Sequence, residues 1–248
     1  MGLSMGSLRA GYRAAVFGAG GGIGGAMVRT LAGDPRCGAV HAGFRMPPVD
    51  IDARVRGFSF DLEEEASLAA AAGQIGADGP LDLVIVATGV LHAEGLEPEK
   101  SWRSLQADPL LRAFAINAVG PALIGKHLLP HLARPGKAVF AALSARVGSI
   151  SDNRLGGWHA YRASKAALNM LVRTLSVELA RSHREAVCIT LHPGTVDTAL
   201  SAPYQRGVRP ERLFTADLAA GQLLSVIDRS SSAQTGLMLD WTGSEIPF

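Results

Sequence analysis

Tyr161 and Lys165 stand four residues apart in the stretch Tyr161-Arg162-Ala163-Ser164-Lys165. Four residues make about one helical turn, so in a helix both side chains leave the same face. A free phenol, with a pKa of about 10, is a sluggish proton carrier at neutral pH. An ammonium a few ångströms away favours the phenolate and lowers that pKa. The pair can then give or take the proton that balances a hydride transfer at a carbon–oxygen bond. The same spacing also arises in any amphipathic helix, so its meaning depends on the surroundings. Rival chemistries are not written here. There is no Gly-x-Ser-x-Gly elbow after a strand and no His/Cys/Asp cluster with metal spacing. His159 reads as a loop histidine which, with Trp158, walls a pocket.

A second chemical signal lies at 18–24, Gly18-Ala19-Gly20-Gly21-Gly22-Ile23-Gly24. It follows an apolar run and opens a helical one. Glycines there let the backbone approach a pyrophosphate, and the helix N-terminus behind offers free N–H groups and partial positive charge. A tight turn that only packs helix on strand is the simpler alternative. A dinucleotide site specific for NAD places an acid at the end of the second strand. Here that stretch is Val40-His41-Ala42-Gly43-Phe44-Arg45, and no acid occurs between Asp34 and Asp50. Arg45 suits a 2′-phosphate with its fork of charged donors, which favours NADP(H) and leaves NAD(H) possible. Asp61 can accept from the adenine amino group, or cap the helix that follows.

These residues need a frame. Apolar, β-rich runs at 13–18, 39–44, 55–62, 81–88, 138–144, 187–191 and 237–241 read as the buried strands of a parallel sheet. Helices are expected between them at 23–32, 63–74, 110–132, 161–181 and 216–227. The alternation predicts one α/β domain of the doubly wound, Rossmann-like kind. It spans 13–248, after a loose tail at 1–12 that lacks the features of a signal peptide. A segment at 195–210 has no clear periodicity and reads as a small substrate lid carrying Tyr204, Arg206 and Arg209.

Together these elements resemble the short-chain dehydrogenase/reductase family over nearly the whole chain. The matching features are the 18–24 turn, Asp61, Gly89 after the fourth strand, Asn117, a serine after the fifth strand, Tyr161 with Lys165, and Pro193-Gly194. The stretch 147–153 with 160–169 is most similar to the subgroup of the bacterial C-factor and the sniffer-like carbonyl reductases. The resemblance implies Tyr161 as general acid in reduction. Lys165 would lower its pKa and bond the nicotinamide ribose. Asn117 would hold a water behind Lys165, and Ser144 would bond the substrate oxygen. It implies cofactor contacts from Gly18, Gly20, Gly22, Ile23, Gly24, Arg45, Asp61, Leu62, Thr88 and Gly89. Pro193, Gly194, Val196 and Thr198 would hold the carboxamide end. Its substrate would be a small carbonyl compound or alcohol.

The chain departs from the family pattern in three places. Phe17 replaces a Thr before the first glycine. Val86-Ala87-Thr88-Gly89 stands where the family has Asn-Asn-Ala-Gly. The serine lies one place early, at Ser144 with Ala145 in the usual position, and Ser149 is a reserve candidate. These departures keep open a dinucleotide-binding sensor of the C-factor type with little turnover. An epimerase or dehydratase on the same scaffold is a third option.

With 248 residues, 48% of them apolar, the chain has ample material for a core. A net charge of +2 gives no reason to expect nucleic acid as a partner. No apolar run reaches the roughly 18 residues a membrane helix needs. Two cysteines, Cys37 and Cys188, do not make a disulfide framework, so a reducing compartment, the cytoplasm, is expected. Broad apolar faces at 110–132 and 161–181 suggest a homodimer or homotetramer.

Overall fold

The computed structural model describes residues 3–46 and 52–248. Its centre is an eight-stranded sheet. In chain order the strands are β1 (Tyr12–Phe17), β2 (Cys37–Phe44), β3 (Val55–Ser59), β4 (Leu83–Val86), β5 (Val139–Leu143), β6 (Val187–His192), β9 (Met238–Asp240) and β10 (Glu245–Ile246). Two short strands, β7 (Thr195–Val196) and β8 (Leu213–Phe214), pair apart from it. The spatial order is β10-β9-β6-β5-β4-β1-β2-β3, parallel throughout except for the antiparallel β10 edge. The order reverses between β1 and β4. That reversal opens a crevice at the carboxyl ends of the strands, where ligands bind in such folds.

Side-chain alternation explains why the strand runs are apolar without a break. Ala14 and Val16 of β1 face one core, and Ala15 and Phe17 face the other. The first core packs against α1 (Gly22–Gly33) and α6 (Ala216–Arg229) through Met27, Leu31, Leu223 and Ile227. The second packs against α2 (Glu65–Ala77), α4 (Gly120–Leu128) and α5 (His159–Leu179) through Leu68, Ile75, Ile124, Leu168 and Val172. A sheet covered on both faces has no polar face to show. The expected α/β, doubly wound, single-domain arrangement is what forms.

Two expectations change. The helix expected at 110–132 is broken into α3 (Ala107–Phe114), a π-helical turn at Ala115–Val119, and α4. Asn117 sits in that turn, and such turns cluster at functional sites. The described part of the expected loose tail, from residue 3 on, is packed instead. Met5 and Leu8 are 1% and 2% exposed within the first core. The backbone N–H of Met5 donates to Asp34 at 2.8 Å, and Arg9 pairs with Asp82 at 2.7 Å. Two apolar side chains and two carboxylates on the body are enough to seat the segment.

Candidate active site

The glycine turn joins β1 to α1 where it must be tight. Gly18 has φ +89°, and a Cβ there would lie 3.0 Å from the backbone of Ala87. A Cβ on Gly24 would run into the carbonyl of Gly18, so the first turn of α1 can close on the loop only as glycine. The turn borders a cleft of 570 Å³ lined by Gly18, Gly20, Phe44, Arg45, Asp61, Leu62, Thr88, Gly89 and Arg112. Arg45 is exposed at the end of β2, and no hydrogen bond or ion pair engages it among the described residues. Asp61 accepts from the Glu63 N–H at 2.9 Å in the turn before α2, whose N-cap is Glu64, so it does not cap the helix, and it lines the cleft. Leu62 packs where a Cβ on Gly120 would be, 2.7 Å away.

A second cavity, 230 Å³, has Ile23 in its wall, two residues beyond Gly21 of the cleft. Ile23, Pro193, Gly194, Val196 and Thr198 line it together with Ser144, Tyr161, Trp158, His192 and Tyr204. Gly22 packs against the wall of this cavity, since a Cβ on it would come within 2.7 Å of Thr198 Cγ2. Most of the cofactor residues read from the sequence fall into two groups, a cleft group ending at Gly89 and a pocket group around Pro193-Gly194, while Gly22 and Gly24 line neither space and pack against Thr198 and the Gly18 carbonyl.

Tyr161 and Lys165 lie in the first turns of α5, Lys165 buried and Tyr161 half-buried at the pocket. Lys165 Nζ donates to the Leu143 carbonyl at 2.8 Å and lies 5.9 Å from the Tyr161 ring centre. Burial pushes the Tyr161 phenol up to about 12 and the Lys165 ammonium down to about 8. The lowered phenol expected from the spacing is thus not what these surroundings produce. The ammonium faces the ring and a strand-end carbonyl, and desolvation outweighs any attraction between the two. A phenol so placed keeps its proton at neutral pH, which suits a donor.

Asn117 is wholly engaged. Its amide donates to the Val90 carbonyl and accepts the Val90 N–H, each at 2.8 Å, and reaches Ser164 Oγ at 3.1 Å. A Cβ on Gly89 would be 3.3 Å from Asn117 Oδ1 and 3.4 Å from Lys165 Nζ, so Gly89 separates the two only by being glycine. Ser144 follows β5 directly, its N–H still donating to the Leu191 carbonyl of β6 at 2.8 Å. It borders the Tyr161 pocket, and its hydroxyl donates to Asn169 Oδ1 at 2.8 Å. The alternative, Ser149, is turned toward the Pro247 carbonyl and borders a different cavity with His159. Tyr204 reaches the pocket from the 195–210 segment. Arg206 is exposed, and Arg209 lies 3.8 Å from Glu211.

Sequence reasoning missed three neighbours. Asn169 is visible only as the partner of Ser144. Arg112 is a second cation on the cleft, identifiable only after α3 is placed. His192 borders the pocket with a buried Nδ1 that has no partner, and burial lowers its pKa to about 4. Its position just before Pro193-Gly194 at a strand end was the available signal.

The residues fit a dinucleotide. Gly18, Gly22 and Gly24 leave no room for a side chain, the cleft and the pocket are bordered by neighbouring residues (Gly21 and Val90 on the cleft, Ile23 and Leu91 on the pocket), and the buried Thr88 Oγ1 on the cleft wall has no partner among the described residues. Fold and site define an oxidoreductase that uses a nicotinamide dinucleotide. The family model for short chain dehydrogenase matches residues 13–208, and the chain belongs to that family. The C-signal protein of Myxococcus xanthus is 35% identical over 174 residues, covering 68% of this chain and 94% of that protein. A cis-4-hydroxycyclohexanecarboxylate dehydrogenase of Sinomonas cyclohexanicum is 29% identical, over 79% of this chain and 78% of its own. Among solved structures, an NADPH-bound carbonyl reductase from chicken fatty liver superposes with a TM-score of 0.84 at 27% identity, covering 98% and 96% of the two chains.

Proposed function

We propose that this enzyme is an NADP(H)-dependent reductase of small carbonyl compounds, with Tyr161 as the proton donor. The observation that carries the reading is the placement of a half-buried phenol one helical turn from Lys165, on a pocket shared with Ser144 and next to a glycine-walled cleft. The likeness to an NADPH-bound carbonyl reductase supports the choice of cofactor and reaction.

In this reading Gly18, Gly20 and Gly22 receive the pyrophosphate at the start of α1. Arg45, joined by Arg112 across the cleft, meets the 2′-phosphate, and Asp61 with Leu62 bounds the adenine. Thr88 and Gly89 face the ribose side, and Pro193, Gly194, Val196 and Thr198 hold the carboxamide. When bound, the dinucleotide supplies the hydride. Ser144 and Tyr161 hold the carbonyl oxygen of the substrate. As that oxygen gains negative charge, the phenol oxygen releases its proton to it. Lys165, fixed by the Leu143 carbonyl, favours the phenolate left behind. Asn117 fixes Val90 and Ser164 and so holds the floor under Lys165. The 195–210 segment covers the pocket and excludes water.

Exposed Leu111, Val119, Met170 and Val177 are consistent with burial in a homo-oligomer built on α3 and α5. Among the described residues no helix is long and apolar enough to cross a membrane. Both cysteines are free, which suits a reducing compartment such as the cytoplasm.

The test is NADPH and NADH oxidation against a panel of aldehydes, ketones and diketones. We expect turnover with NADPH, with kcat/KM at least tenfold above that with NADH, and loss of that preference in Arg45→Ala. Tight NADPH binding without turnover across the panel would favour a sensor instead, a reading to which the C-signal relative lends weak support.

A further inference from the structure

We propose that Trp158, held by Glu99, sets substrate preference, favouring carbonyl compounds that carry a flat, apolar, aryl-sized group. This rests on the carbonyl-reductase reading and deepens it.

Trp158 has φ +52° and ψ 42°, and no other non-glycine residue among those described has a positive φ. A bulky side chain in the left-handed region is strained and persists only where its surroundings impose it. Gly156 (φ +63°) and Gly157 (φ +66°) lead into it, so three successive residues are left-handed. Glu99, from the segment after β4, supplies the restraint. Its carbonyl accepts the Trp158 N–H at 2.5 Å. Its carboxylate accepts the Ala160 N–H with both oxygens, at 3.1 and 3.3 Å. Glu99 is 7% exposed, and Trp158, at the N-cap position of α5, has no capping side chain of its own. The carboxylate therefore does the work of a cap from 61 residues away, at the helix end where negative charge is favoured.

The indole so placed packs edge-on to two rings. Its centre is 6.3 Å from Tyr161 and 5.1 Å from Tyr204. Tyr204 in turn packs edge-on to His92 at 5.7 Å. Trp158 comes from the start of the Tyr161 helix and Tyr204 from the 195–210 segment, so the two segments join in one continuous aromatic wall on the pocket. Leu91, Leu200 and Val208 complete an apolar surround, with Ser144 and Tyr161 as the polar partners. No charged side chain faces the pocket except Arg146, whose Nε pairs with Asp152 at 2.6 Å. Such a site rewards a ring beside the reacting carbonyl and offers an alkyl chain much less.

The test uses a matched pair of diketones, 1-phenyl-1,2-propanedione and 2,3-pentanedione, with the full chain and NADPH. The readout is the ratio of their kcat/KM values, which cancels any disturbance of Tyr161 common to both. In the wild type we expect the aryl compound to be favoured about tenfold or more. Trp158→Ala is expected to remove most of that preference, chiefly through KM of the aryl compound. Trp158→Gly should do the same, and it retains the left-handed conformation without strain if the alanine variant folds poorly. Glu99→Ala should lower the ratio in the same direction, and Glu99→Gln, which keeps one acceptor for Ala160, should restore it. A merely structural Glu99 would lower stability and leave the ratio alone. An unchanged ratio in both Trp158 variants overturns the inference and leaves the carbonyl-reductase reading standing. If no diketone turns over, that reading fails, and calorimetric binding of 1-phenyl-1,2-propanedione to the NADPH-loaded protein decides the inference. A dissociation constant about tenfold weaker in Trp158→Gly supports it, whereas equal binding, or none to the wild type, overturns it.

Discussion

Lys165 and Tyr161 are pushed in opposite directions by the same cause, loss of water around them. The consequence is a definite pH dependence. With the phenol near 12, the donor stays protonated at every ordinary pH. Lys165, lowered to about 8, is charged below that pH and neutral above it. Carbonyl reduction should therefore run level from about pH 6 to 7.5 and decline as pH rises through about 8, because the neutral amine no longer favours the phenolate product. A kcat profile under saturating NADPH checks this, and a decline centred above pH 10 would show that Lys165 keeps its ordinary pKa. Asn117 gives a second prediction. Asn117→Ala strands the Val90 N–H and carbonyl, and each buried group left unpaired costs about 1–3 kcal/mol. A drop of several degrees in Tm, with a fall in kcat, is expected.

The elements carry the site because each ends where a functional residue is needed. β1 stops at Phe17 so that the glycine turn can reverse into α1, and β5 stops at Leu143 so that Ser144 stands at the strand end on the pocket. Gly24→Ala would force α1 away from the Gly18 carbonyl. We expect NADPH affinity to fall tenfold or more with a lower Tm, whereas Gly73→Ala, in an open position on α2, should leave both near wild type. The strands and most helices were legible from the sequence because apolar runs and helical periodicity are local signals. The break at Ala115–Val119 was not, since apolar residues continue through it and only Asn117 and Pro121 hint at a change. The two-residue strands β7, β8 and β10 are too short for any periodicity. Tyr161, Lys165 and the glycines were legible from spacing. The choice between Ser144 and Ser149, and the parts played by Asn169 and Glu99, depend on contacts between distant segments and had no local signature.

At the scale of the whole molecule, the buried His41 and the half-buried His192 link stability to acid. His41 Nε2 takes part in a 2.9 Å bond with Arg13 Nη2, so the ring must be neutral there, and burial lowers its pKa to about 4. His192 is lowered to about 4 by burial as well. Between pH 6.5 and 4 the unfolded chain takes up protons at these sites and the folded protein does not. Stability is then present above about pH 6.5 and is lost as pH falls toward 4. Thermal melts at pH 7.5, 5.5 and 4.5 should show a falling Tm, with a shallower slope in His41→Gln, whose amide oxygen can still accept from Arg13. A Tm level across that range would remove both histidines from the account. The exposed apolar residues on α3 and α5 make a further prediction: light scattering should report a dimer or tetramer, and Met170→Glu should shift it toward the monomer.

The central claim is that the Tyr161 phenol delivers the proton during NADPH-dependent carbonyl reduction. Single-turnover reduction by NADPH-loaded protein, followed by loss of nicotinamide absorbance, tests it most directly in wild type and Tyr161→Phe. The account predicts a rate about 10²–10⁴-fold lower in the phenylalanine variant, with the dissociation constant for NADPH within about threefold of wild type, a difference worth well under 1 kcal/mol. Equal single-turnover rates in the two proteins would contradict it.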